Sequence, residues 1–135
     1  MAQVELPMDY LKMIVLLSTL LLPTAGHGSE LVQSMDGTGK GLLVSCKGLV
    51  QNYIDGNKTG SDIEYGFCAG FIKAMTQLMA VSHGYNTSYC FPKEMTTGQA
   101  AHISLNYLKA HPQTQNYPAF YAVMSSMEEA FPCKG

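Results

Sequence analysis

Residues 61–82 read SDIEYGFCAGFIKAMTQLMAVS, and the spacing inside that stretch decides the fold. Ser61 followed three residues later by Glu64 is a capping-box signature, in which each side chain satisfies a free backbone N–H of a helix's first turn. Phe67, Phe71, Met75, Leu78 and Met79 then recur at the three- and four-residue intervals of one helix face. A long helix buried along that side is expected. Gly66, Gly70 and Ala74 make a second stripe at four-residue spacing. Glycine inside a helix costs about 1 kcal/mol relative to alanine, which close approach of another backbone can offset. Packing within the monomer is the expected use of the stripe, and a homodimer face is the alternative.

The flanking segments repeat the helical pattern. Upstream, Leu42, Cys46, Leu49, Val50 and Tyr53 fall on one face of a helix running from about residue 38 to 54, which IDGNKTG ends. Downstream, HGYNTSYCFPKEM (83–95) is the longest loop, because Gly84, Asn86 and Pro92 favour turns. Thr96-Thr97-Gly98-Gln99 is a second capping box. Its helix carries Ala100, Ile103, Tyr107 and Leu108 and stops before Pro112. Asn116-Tyr117-Pro118 opens a last helix, whose expected buried face is Phe120, Val123, Met124, Met127 and Phe131. No segment alternates like a strand. The fold class is therefore all-α, a small bundle of about four helices whose short loops favour antiparallel neighbours.

The N-terminus has a different character. Met13 to Pro23, MIVLLSTLLLP, is an apolar run preceded by Lys12 and followed by the small residues of TAGHGSE. This is the layout of a secretory signal peptide, and the run is too short for the roughly 20 residues that span a bilayer. The expected organisation is a signal peptide over 1–28, cleaved after Gly26 or Gly28, a flexible leader over 29–39, and a helical domain over 40–135. Glu5 and Asp9 are unusual before an apolar run, and a start at Met8 would remove Glu5. No cysteine sits at the cleavage junction, so no membrane anchor is expected after cleavage.

Export explains the cysteines. Cys46, Cys68, Cys90 and Cys133 all lie beyond the signal, and an even number in a short exported chain reads as disulfides. No C-x-x-C occurs, which disfavours zinc ribbons and thioredoxin-like chemistry. In an up-down bundle Cys46 and Cys68 both fall near mid-height of neighbouring helices, while Cys90 and Cys133 both fall at the bottom. This favours the pairs Cys46–Cys68 and Cys90–Cys133, and leaves Cys46–Cys133 with Cys68–Cys90 open.

Composition narrows the function classes. The chain has 135 residues, 47% of them apolar and 13% charged, which suits one folded domain rather than a disordered chain. Its eight basic residues are all lysines, and they are scattered. Nucleic-acid sites use clustered cations and the arginine fork, so no nucleic-acid partner is expected. His102 and His111 match no metal-ligand spacing, and His111 at a helix end reads as a cap. With the cysteines paired no thiol nucleophile remains, and no G-x-S-x-G, P-loop or dinucleotide fingerprint occurs. No catalytic residue, cofactor or metal is expected, and the chain reads as no enzyme. The nine methionines are expected to fill gaps in the core.

FCAGFIKA, YCFPKEMTTGQAAHISLNYLKAHPQ and the closing AFPC together resemble the Rap/Tai immunity-protein domain family. The matching positions are Cys46; Phe67, Cys68, Gly70 and Ile72; Cys90 and Pro92; Thr96, Gly98 and Gln99; Tyr107-Leu108; His111-Pro112; and Ala130 to Cys133. Phe71, Ala74 and Gln113 depart from the family pattern, at places that should leave the fold intact. The resemblance implies a small, disulfide-bonded, mainly helical periplasmic protein. It also implies a protein partner, a papain-like peptidoglycan amidase toxin delivered by type VI secretion, which the immunity protein binds and inhibits. The alternative is a periplasmic binding or envelope-stress protein with the same fold and no amidase target. The 83–95 loop supplies candidate partner-binding residues: His83, Tyr85, Asn86, Tyr89, Lys93 and Glu94.

Overall fold

A computed structural model describes residues 35–82, 90 and 92–133. They form α1 (Gly39–Ser45), α2 (Lys47–Asp55), α3 (Asp62–Ser82), α4 (Thr97–Ala110), a 3-10 helix (Pro112–Asn116) and α5 (Ala119–Ala130). The helix expected over about 38–54 is thus two helices meeting at Cys46. Backbone hydrogen bonds bridge the junction, from Cys46 N–H to the Leu42 carbonyl at 2.9 Å and from Val50 N–H to the Cys46 carbonyl at 3.0 Å. No helix among the described residues is long and apolar enough to cross a membrane.

Local chemistry sets the helix ends. Thr38 caps α1, its Oγ1 accepting from Gly41 N–H at 3.1 Å. The Asp36 carboxylate accepts from Thr38 N–H at 2.8 Å and from Thr38 Oγ1 at 2.6 Å. Those two hydrogen bonds hold the Asp36 carboxyl below the usual aspartate range. The chain expected to be flexible through residue 39 is therefore anchored from Asp36 onward. Gly39 N–H donates to the Tyr117 carbonyl at 2.9 Å, and Ala119 N–H donates to the Gly37 carbonyl at 2.7 Å. Gly56 ends α2 at φ +77°, a left-handed conformation that glycine adopts without penalty. Ser61 and Glu64 form the capping box that opens α3: Glu64 N–H donates to Ser61 Oγ, and the Glu64 carboxylate accepts from Ser61 N–H, each at 3.2 Å.

Helix α4 lies at the centre and packs against α2, α3 and α5. Leu42, Leu49 and Val50 meet Cys68 and Ile72 of α3, Leu105 and Leu108 of α4, and Val123 and Met127 of α5 in one buried cluster. Helices α4 and α5 both bury small residues, Ala100, Ala101 and Ser104 in α4 and Ala119, Ala122 and Ser126 in α5, and Ser104 meets Ser126 between them. Ser126 Oγ donates to the Val123 carbonyl at 2.8 Å and lies 3.1 Å from Ser104 Oγ. Ser126 has one hydroxyl proton, so Ser104 donates across the interface and both buried hydroxyls are satisfied.

Two disulfides complete the scaffold. Cys46–Cys68 ties the α1–α2 junction to α3, with both cysteines fully buried. Cys90–Cys133 ties the segment before α4 to the chain after α5, with both cysteines exposed. Cys90 N–H donates to the Phe131 carbonyl at 2.7 Å beside that bond.

Two expected faces are buried in part: Met79, Val123 and Met127 are in the core as expected, and Phe71, Met75 and Phe131 pack against it, but other positions differ. The innermost side of α3 is Cys68, Ile72 and Met79, while Phe67, Phe71 and Met75 are only partly buried and Leu78 is 61% exposed. The covalent tie at Cys68 turns that side inward. On α5, Phe120 is 49% and Met124 37% exposed, whereas Ala119, Ala122, Val123, Ser126 and Met127 are buried.

Candidate functional site

Lys93 and Glu94 are exposed beside the disulfide-anchored Cys90. His83, Tyr85, Asn86 and Tyr89 lie outside the described residues. The structure therefore places two of the six candidate partner-binding residues, both on the surface. His111 is a helix cap: its Nδ1 lies 3.0 Å from the Tyr107 carbonyl and its ring stacks on the Tyr107 ring at 4.2 Å. His102 packs against Tyr53, their ring centroids 5.9 Å apart. Among the described residues no cysteine is free, and no group of histidines, cysteines and carboxylates could hold a metal ion.

Among the described residues a groove of about 550 Å³ lies between α2, the middle of α3 and the first turn of α4. Leu49 and Ala69 line its floor, and Tyr53 and Tyr65 its walls. Gly98 makes room for Tyr53, since a Cβ at residue 98 would lie 2.8–3.0 Å from the Tyr53 side chain. Above Tyr65, the Lys58 ammonium sits 5.0 Å from the ring centroid, a cation–π contact. Lys58 also pairs with Asp62. That hydrogen bond and the mutual charge attraction raise the Lys58 pKa and lower that of Asp62.

Gly70 and Lys73 form the α3 edge of the groove. Lys73 is the only charged residue lining it, and it has no acidic partner among the described residues, whose one ion pair is Lys58–Asp62. Sequence reasoning did not single out Tyr53, Tyr65 and Lys73 as a site. They come from separate helices, and only the packing of α2 and α3 against α4 brings them together.

Among the described residues nothing packs on the small-residue stripe, contrary to expectation. Gly66, Gly70 and Ala74 are all exposed, and a Cβ at Gly66 or Gly70 would meet nothing within 4 Å. Burying Cys68 and Ile72 turns this side outward. Ile63, Leu78 and Val81 are exposed along the same helix, Val81 to 74%.

A family model described as Rap1a immunity proteins matches residues 38–133. The chain belongs to the Rap1a immunity protein family. The match runs from the Thr38 cap of α1 to Cys133 and so includes every described helix and both disulfides. No curated protein and no solved structure gives a significant match. As a Rap1a immunity protein the chain is a binding protein and not an enzyme, and a protein toxin is the class of partner the family points to. Several motif residues have scaffold roles here: Thr96 caps α4 by accepting from Gln99 N–H at 3.1 Å, Gly98 accommodates Tyr53, and His111 closes α4. Gly70 has no such role among the described residues, where no atom beyond its own helix backbone lies within 4 Å of the space it leaves.

Proposed function

We propose that this chain is a periplasmic immunity protein that binds and inhibits a peptidoglycan amidase effector of type VI secretion. The observation that carries the reading is the family match over residues 38–133, which takes in the whole disulfide-linked helical domain. The apolar run at 13–23 and the two disulfides support export to an oxidising compartment. Inhibition is stoichiometric: a rigid scaffold blocks the cleft of a papain-like amidase. His83, Tyr85, Asn86, Tyr89, Lys93 and Glu94 are the proposed contributors from the 83–95 segment, where tyrosines serve as anchors and the Cys90–Cys133 bond limits the freedom lost on binding.

The test is a titration of the oxidised protein against the peptidoglycan amidase recovered with it from a periplasmic extract of its own host. Hydrolysis of peptidoglycan is expected to stop at one immunity protein per amidase. Full hydrolysis at a tenfold excess, or recovery of no amidase, would sink the inhibitor reading and leave a periplasmic binding or envelope-stress protein of the same fold.

A further inference from the structure

We propose that the groove between α2, α3 and α4 seats a backbone segment of a protein partner, and that this segment carries a carboxylate. The inference rests on reading the chain as a protein-binding immunity protein. At the groove's edge, Gly70 lies inside a 21-residue helix, where glycine is the poorest ordinary residue, yet among the described residues a Cβ there would touch nothing beyond its own helix. A side chain at this position would project over the groove. Its absence leaves room for a main chain approaching from outside.

The walls are aromatic. Tyr53 is 46% exposed and packs against Gly98 and His102, and Tyr65 lies under the Lys58 ammonium. Tyrosines offer a large amphipathic contact area with little conformational freedom to lose. Asn52 adds an amide to the lining, and Leu49 with Ala69 gives an apolar floor.

Charge selects the occupant. Lys73 is the only ionic group lining the groove, and among the described residues no acid neutralises it. A segment of complementary charge brings an aspartate or glutamate to Lys73 while its backbone crosses Gly70. A cationic or purely apolar segment would leave the ammonium unpaired at the contact.

The experiment pans a phage-displayed library of random dodecapeptides against the oxidised protein, then measures the affinity of the enriched peptides for the wild type, Gly70→Leu and Lys73→Glu. Enriched peptides are expected to share an acidic residue. Each substitution should weaken them by about tenfold or more, the size of one charge-assisted hydrogen bond. A peptide whose acid is replaced by lysine should regain affinity for Lys73→Glu. Leucine at residue 70 faces open space, so unchanged thermal melting of Gly70→Leu will show that lost binding is not lost folding. Failure to enrich any peptide, enrichment without acidic preference, or equal binding to all three proteins would overturn the proposal. So would sedimentation showing a wild-type dimer that Gly70→Leu converts to monomer, because a second copy would then occupy the groove. Acidic peptides that bind as described while amidase inhibition fails would remove only the inhibitor reading. Inhibition that survives while the peptides ignore Gly70 and Lys73 would remove only the groove.

Discussion

The two sides of α3 make opposite use of small side chains. On the inner side Cys68 is fully buried and bonded to Cys46, and Ile72 lies in the core beside it. On the outer side Gly66, Gly70 and Ala74 form a strip that is bare among the described residues. Other small residues of the helices are covered in places. Ala100, Ala101 and Ser104 of α4 are buried, and Gly48 of α2 lets the Thr59 carbonyl come so near that an added Cβ would lie 1.9 Å from its oxygen. A small-residue stripe therefore marks a place where close approach is allowed. Whether the approaching backbone belongs to the monomer depends on which side of the helix the rest of the core claims.

The inner side gives the largest test of this contrast. Replacing Cys46 and Cys68 together by alanine should lower unfolding free energy by about 2–5 kcal/mol, the usual effect of losing a native disulfide from a small domain. Denaturant titration would measure it, and a loss below about 1 kcal/mol would show that packing alone holds α3 in place. The next effect compares two glycines. Gly48→Ala forces a methyl group onto a backbone carbonyl and should cost about 1–3 kcal/mol. Gly70→Ala adds a methyl group in open space and should stabilise the helix by about 0.5–1 kcal/mol. Equal effects of the two substitutions in thermal melts would break the distinction between the covered and the bare position.

The smallest effect lies outside both faces, at the start of α1. The Asp36 carboxyl titrates below its ordinary value, so its contribution to stability is full above an ordinary aspartate pKa near 3.8 and disappears as pH falls through the lower folded value. Asp36→Asn should therefore melt earlier than the wild type at pH 7, by less than about 1 kcal/mol because the site is exposed, and should differ little from it at pH 2. The same deficit at both pH values would show that the ionised carboxylate is not what anchors Thr38.

Much of the local structure was legible because it depends on neighbours in sequence. Ser61 and Glu64, Thr96 and Gln99, and His111 at the end of α4 act within one turn of their own backbone, so residue type and spacing reveal them. The inward faces of α3 and α5 were less legible. Phe67 and Leu78 fit a helical period as well as Cys68 and Ile72 do, and the period does not say which stripe the partner helices cover. Phe120 looked like a core residue because it is large and apolar. It is half exposed because α5 turns Ala119, Ala122, Val123, Ser126 and Met127 inward instead. The groove was not legible at all, since Tyr53 and Gly98 touch only through the tertiary packing of α2 on α4.

By itself the sequence determined an all-α domain with capped helices and the membership that its ordered cysteine, glycine and proline motifs display. These follow from hydrogen bonds and periodicities that operate over a few residues, and from motifs that need no coordinates. Only the tertiary structure decided that the glycine stripe of α3 faces outward and that Lys73 shares a groove with Tyr53 and Tyr65, with no acid paired to it among the described residues. The reason is physical: burial is a competition among all the helices for the same interior, and the disulfide at Cys68 together with the contact between α4 and α5 settles that competition at long range in sequence.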